Sequence, residues 1–217
     1  MSTIVLIRPG ETDYHEQSRL LGTLEMPLNM AGVEQVNHIV RHLQQENIQL
    51  ECIFTSPVDP ACSTARAIAE ALKGPKVKEL DELQNVDQGL WQGLPEADIR
   101  KRYPQFFRKG KEKPQTICPP EGETLGDACE RIHKVINKAI RKFKVLAIVV
   151  PDPIASVIRC TLQERGIAVA SCLSGEGDRE AVEFFETEGF DPAFFVNCES
   201  RETPKLSSDT VSRQSVK

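Results

Sequence analysis

Apolar residues along this chain fall into two kinds of pattern. Ile4 to Ile7 is a continuous, largely β-branched run closed by Arg8-Pro9-Gly10, and Val145 to Val150 is another, stopped by Pro151 and Pro153. Unbroken runs of this kind suit strands buried on both faces, as in a parallel sheet. Cys52 to Phe54 and Val77 to Leu80 are shorter candidates. Between them the spacing turns helical. Val36, Ile39, Val40 and Leu43 share one face, and Leu125, Cys129, Ile132, Ile136, Ile140 and Phe143 form a longer stripe. Ala61 to Leu72 is alanine-rich and strongly helix-forming, and Val157, Ile158 and Leu162 mark a helix after the second buried strand. Strands alternating with helices predict a three-layer α/β/α sandwich around a mostly parallel sheet, joined by right-handed crossovers.

Two stretches break the pattern. Residues 104–121 are rich in proline and charge and read as an excursion over the sheet edge. Residues 199–217 are almost entirely polar and read as a disordered tail, which leaves 1–198 as one α/β domain. A chain of 217 residues can bury a sizeable core without staples.

Composition narrows the chemistry. The formal charge of −5 gives no support to nucleic-acid binding. The seven cysteines are scattered with no CxxC pair, so neither a disulfide framework nor a zinc site is indicated. The apolar run at the N-terminus meets Arg8 too early for a signal peptide or a membrane span. A cytoplasmic protein is expected, with no membrane association and no cofactor.

The densest motif follows the first strand: Arg8-Pro9-Gly10-Glu11-Thr12, then Arg19-Leu-Leu-Gly22, Pro27-Leu28-Asn29, Ala31-Gly32 and Gln35. Thr55-Ser56-Pro57 with Thr64-Ala65, Gly89-Leu90-Trp91-Gln92-Gly93, Pro120-Glu121-Gly122-Glu123-Thr124 and Val149 to Ile158 follow in order. This series resembles the histidine phosphatase superfamily, the phosphoglycerate-mutase-like fold, over about residues 3–165. The resemblance implies phosphoryl transfer through a phosphohistidine. One histidine attacks phosphorus, a second histidine and two arginines hold the phosphoryl oxygens, and a carboxylate protonates the leaving oxygen. Such chemistry needs a neutral imidazole nucleophile and positive charge around developing anionic oxygens.

The chain departs from that pattern where it matters most. Pro9 stands at the nucleophile's position, Pro60 at the second phosphate-binding arginine's, and Asp152 at the second histidine's, followed by Pro153. Proline offers no lone pair and no N–H, and aspartate would repel phosphate. Each lost transition-state charge partner costs about 10²–10³ in rate, and without the nucleophile the phosphohistidine route is closed. Arg8, Glu11, Thr12 and Arg19 remain as candidate ligand-binding residues, and Glu82 lies near the family's proton-donor region. Arg8 beside Asp152 makes a poor phosphate site, and a buried arginine needs a partner, so an ion pair with Asp152, or with another carboxylate near the carboxyl edge of the sheet, is expected.

His15 is close enough in sequence to approach the pocket, but a loop or helix-cap role fits it better. His38 and His42 lie four apart on one helix with no third metal ligand, and His133 carries no signal. Cys62 reads as a small buried thiol. Glu11, Glu82 and Asp152 have no spacing that demands a metal ion. The expectation is a scaffold without its family's catalytic machinery that binds an unidentified protein or small ligand. A phosphatase-like hydrolase or phosphate-ester-binding protein with a remodelled site is the alternative, and a homo-oligomeric scaffold is a third.

Overall fold

The computed structural model describes residues 2–106, 108, 118–163 and 180–187. In chain order these form β1 (Thr3–Ile7), α1 (Asp13–Glu16), α2 (Met30–Gln45), β2 (Cys52–Thr55), α3 (Ala61–Leu72) and β3 (Lys76–Glu79). Next come α4 (Glu96–Arg102), α5 (Leu125–Lys142), β4 (Val145–Val149), α6 (Ile154–Leu162) and β5 (Val182–Glu186), with short 3-10 turns at Asp81–Leu83 and Gly89–Trp91. The sheet order is β3-β2-β4-β1-β5. Neighbours run parallel except β5, which is antiparallel to β1 with Leu6 opposite Glu183 and Ile7 opposite Val182.

Alternation along the strands divides the core. Ile4, Leu6, Phe54, Leu146 and Ile148 face one way and pack on α5 and α6. Val5, Ile7, Ile53, Ala147 and Val149 face the other way, toward α2 and α3. These are the three layers the sequence predicts. The helix expected over 61–72 has those bounds, and the strand expected over 77–80 lies at 76–79. On α5 the most buried positions are Leu125, Ala128, Ile132, Val135, Ile136 and Ala139. Cys129, Ile140 and Phe143 lie at the margin. Leu125, Ile132 and Ile136 of the expected stripe are thus buried, and Ala128, Val135 and Ala139 complete that face.

Strand β5 is an addition to the sequence reading. Along one face its burial falls from Val182, buried, to Phe184, 42% exposed, as on an edge strand. The expected tail at 199–217 lies outside the described residues, as does most of the excursion over 104–121. Among the described residues no helix is long and apolar enough to cross a membrane.

Local chemistry sets the helix starts. Asn29 Oδ1 accepts from the Gly32 N–H at 2.7 Å to open α2. Thr124 and Asp127 form a reciprocal capping box on α5. Helices α3 and α6 share a different device, Asp-Pro-x-x-Ser. Asp59 Oδ1 accepts from Ser63 N and Oγ, and Asp152 Oδ1 accepts likewise from Ser156 N and Oγ. Both follow strands that end at the same, carboxyl edge of the sheet, where open α/β sheets place their ligand crevices.

Candidate ligand pocket at the carboxyl edge of the sheet

Arg8 leaves the end of β1 with its N–H donating to the Ala181 carbonyl, so the backbone ladder continues one residue past the strand. Its side chain is almost fully buried and meets two carboxylates. Nε donates to Asp152 Oδ2 at 2.9 Å, and Nη1 donates to Glu183 Oε1 at 2.5 Å and to the Glu180 carbonyl at 2.9 Å. Nη2 is buried and has no hydrogen-bond partner among the described residues. Arg159 Nη1 approaches the other oxygen of Glu183 at 3.9 Å. Burial opposes the charge on Arg8, but Asp152 and Glu183 outweigh it and raise its pKa above the ordinary arginine value. The ion pair expected between Arg8 and Asp152 is present, and Glu183 joins it.

Asp152 is fixed from three directions. Oδ1 caps α6, Oδ2 holds Arg8, and its backbone carbonyl accepts from Asn85 Nδ2 at 3.0 Å. Pro9 is half-buried, and Pro60 is buried at the start of α3. Gly10, after Pro9, donates to Thr64 Oγ1 and packs directly on the N-terminus of α2. A Cβ on Gly10 would fall 2.3 Å from the Gly32 carbonyl oxygen, and one on Gly32 would fall 2.1 Å from the Glu11 carbonyl oxygen. Neither position tolerates a side chain, so the loop after β1 is seated firmly against the helix.

The other candidate ligands have structural partners. Thr12 is buried, and its N–H and hydroxyl both reach His15 Nδ1, at 3.1 and 2.9 Å. Because the Thr12 N–H donates to Nδ1, that nitrogen carries the lone pair and the neutral ring's proton resides on Nε2. The lone pair is thus occupied as an acceptor, which fits the capping role expected of His15. Glu11 is exposed, and its backbone N–H donates to Gln35 Oε1. Arg19 donates from Nη1 to the Gly93 carbonyl at 2.6 Å and from Nε to Gln17. That arrangement makes it a strut under the Trp91–Leu94 loop. Glu82 is exposed in its 3-10 turn, with its carbonyl accepting from Arg131.

Cys62 donates to Glu79 Oε1, and burial first, then this carboxylate, pushes its thiol up to about 11. At neutral pH it is protonated and a poor nucleophile. His38 and His42 are exposed on α2, with the His42 ring against Phe184. Among the described residues no group of three His, Cys, Asp or Glu side chains could hold a metal ion.

Glu183, Asn85 and Arg131, which no sequence motif marks, organise this region together with Glu123 of the Pro120–Thr124 motif. Arg131 donates to the carbonyls of Glu82, Gln84 and Asn85 and to both oxygens of Glu123. Asn85, held in this way, supports Asp152. One signal for Glu183 was available: a carboxylate inside the otherwise apolar Val182–Phe185 run is an unfavoured strand residue.

His15 also carries a pH expectation. Part of the ring is exposed, yet desolvation by its surroundings lowers its pKa against the opposing pull of Glu11 and Asp152. The unfolded chain then binds the proton at higher pH than the folded one. Stability should therefore rise as pH climbs toward the unfolded histidine value of about 6.5, and fall below it. His133, also lowered by burial, adds to the slope. Urea unfolding of His15→Gln between pH 5 and pH 7 should show a shallower dependence than the parent; an unchanged slope would assign the effect elsewhere.

A family model described as "Histidine phosphatase superfamily (branch 1)" matches residues 4–173. The chain belongs to this superfamily. Among curated relatives, phosphoserine phosphatase 1 of Hydrogenobacter thermophilus is 29% identical over 142 residues, covering 65% of each chain. The uncharacterized phosphatase PhoE of Bacillus subtilis is 30% identical over 68% of this chain and 71% of its own. The match to a bifunctional protein of Mycobacterium tuberculosis, 30% identical over 73% of this chain, spans 44% of that protein. Among solved structures, YhfR of Bacillus stearothermophilus superposes with a TM-score of 0.72 at 21% identity, covering 88% of this chain and 93% of that one. A mycobacterial glucosyl-3-phosphoglycerate phosphatase bound to VO3 superposes at 0.68 and 22% identity, covering 79% and 86%. These likenesses establish the phosphoglycerate-mutase-like α/β fold.

Proposed function

We propose that this chain is a histidine-phosphatase-fold protein that does not carry out phosphohistidine chemistry and acts by binding a protein partner or a small ligand. The observation that carries this reading is the state of Arg8. A guanidinium that meets two carboxylates and a carbonyl has little charge left to offer a phosphoryl group, and an incoming phosphate would face Asp152 and Glu183. Pro9 supplies no nucleophile beside it, and Pro60 supplies no second cation. His15, the nearest alternative in sequence, has its lone pair tied to Thr12. The names of the relatives, phosphoserine phosphatase 1 and PhoE among them, favour a second reading as a hydrolase with altered residues.

An ester assay separates the two. With p-nitrophenyl phosphate and with phosphoserine, the purified chain should show no turnover above buffer. Turnover that disappears in Asp152→Ala or His15→Ala would establish the second reading instead.

A further inference from the structure

The geometry around Arg8 points to more than a lost function. We propose that Asp152 and Glu183 act as a built-in ligand of Arg8, closing a latent oxyanion pocket that opens when their charge is removed. This inference rests on the reading that Arg8 no longer serves a phosphoryl group, and it adds the specific agents that exclude one.

Three observations carry it. The two carboxylates approach from different elements, Asp152 from the β4–α6 turn and Glu183 from edge strand β5, and take different nitrogens, Nε and Nη1. They therefore hold the guanidinium from two sides with charge-assisted hydrogen bonds, which a single surface ion pair does not do. Both side chains are largely buried, at 19% and 12% exposure, so solvent screens the contact weakly. Nη2 is buried and unpartnered among the described residues, which leaves one donor of the fork unfilled. Arg159 stands on the far side of Glu183 with its own Nε buried and lacking a partner among the described residues. Among the described residues, cationic donors beside the two carboxylates thus remain incompletely satisfied.

The contact also has a mechanical effect. It ties β5, at one end of the sheet order, to the turn that starts α6, with β1 between them. Internal carboxylates hold the strand in register where an external anion would have to be recruited from solution. Removing the negative charge while keeping the shape should release Arg8 for an external oxyanion.

The test compares the parent chain with Glu183→Gln and with the D152N/E183Q double variant, using inorganic phosphate as the probe. Thermal unfolding is followed with and without phosphate at matched ionic strength, and near-ultraviolet circular dichroism reports that each variant is folded. The parent should show no phosphate-dependent shift. The variants should gain one of about 3–6 °C when phosphate exceeds its Kd tenfold, an affinity gain of about 100-fold or more given the cost of juxtaposing like charges. Adding Arg8→Met to the double variant should abolish the gain, which assigns it to this guanidinium. Asp152 also caps α6, so if the double variant does not fold, Glu183→Gln alone decides. A phosphate shift in the parent equal to that in the variants would overturn the proposal, and so would folded variants that gain nothing. Neither result depends on the ester assay, in which turnover by the parent would instead overturn the non-catalytic reading.

Discussion

Replacing Arg8 with methionine should lower the free energy of unfolding by about 3–5 kcal/mol, the range seen when one partner of a buried ion pair is removed. The cause is the charge left behind. Asp152 and Glu183 would face each other across an apolar side chain, both mostly shielded from water, with Arg159 3.9 Å from one oxygen of Glu183. The Glu180 carbonyl would also lose its donor. Against a typical total of about 5–15 kcal/mol, a loss of this size is large. Urea or guanidinium unfolding measures it as a fall in midpoint at constant m-value. The same substitution in a D152N/E183Q background should cost much less, because the carboxylates are then neutral. That non-additivity separates the ion cluster from simple loss of packing. A cost below about 1 kcal/mol in the parent would place the cluster among solvent-screened surface pairs.

Arg131→Ala should be the second most damaging change, at about 2–3 kcal/mol. The side chain makes five hydrogen bonds, three of them to consecutive or near-consecutive carbonyls in the 82–85 loop and two to Glu123. Glu123 in turn accepts from the Asp87 N–H at 3.0 Å, so the loop loses its anchor at both ends. The effect is discounted because Arg131 and Glu123 keep about a fifth of their side-chain surface in water. Arg131→Lys should recover less than half of the loss, since a point charge cannot reproduce the planar fork. Denaturant midpoints for the two variants check both statements. Full recovery by lysine would show that charge, and not the fork, holds the loop.

The degree to which the sequence revealed this molecule differs between its parts. The continuous runs at Ile4–Ile7 and Val145–Val149 mark buried parallel strands because both faces of such strands must be apolar. The Ala61–Leu72 helix is legible because its residues combine strong propensity with one apolar face. Strand β5 is less so. It is short, lies at an edge, exposes Phe184 and mixes two glutamates into its five residues, so neither a continuous run nor clean alternation stands out. Of the α5 stripe, Leu125, Ile132 and Ile136 are buried as the spacing predicts, and Ala128, Val135 and Ala139 join them.

At the pocket, residue identity alone settled what chemistry the named positions can offer. The side chains of Pro9 and Pro60 have no lone pair or charge to contribute wherever they sit, and a buried Arg8 needs an anionic partner, Asp152 or another carboxylate at the sheet edge. Partnership across the chain is a different matter. Arg8 and Glu183 are 175 positions apart and meet because β5 lies antiparallel on β1, placing Glu183 opposite Leu6 beside the guanidinium. Nor does composition show that His15 turns its lone pair to Thr12, or that Arg131 holds the loop supporting Asp152. The sequence by itself determined the layered α/β fold and the absence of a histidine at positions 9 and 152. Only the tertiary structure decided that two carboxylates surround Arg8, because hydrogen bonds and ion pairs depend on ångström-scale approach between strands and turns, which local patterning does not encode.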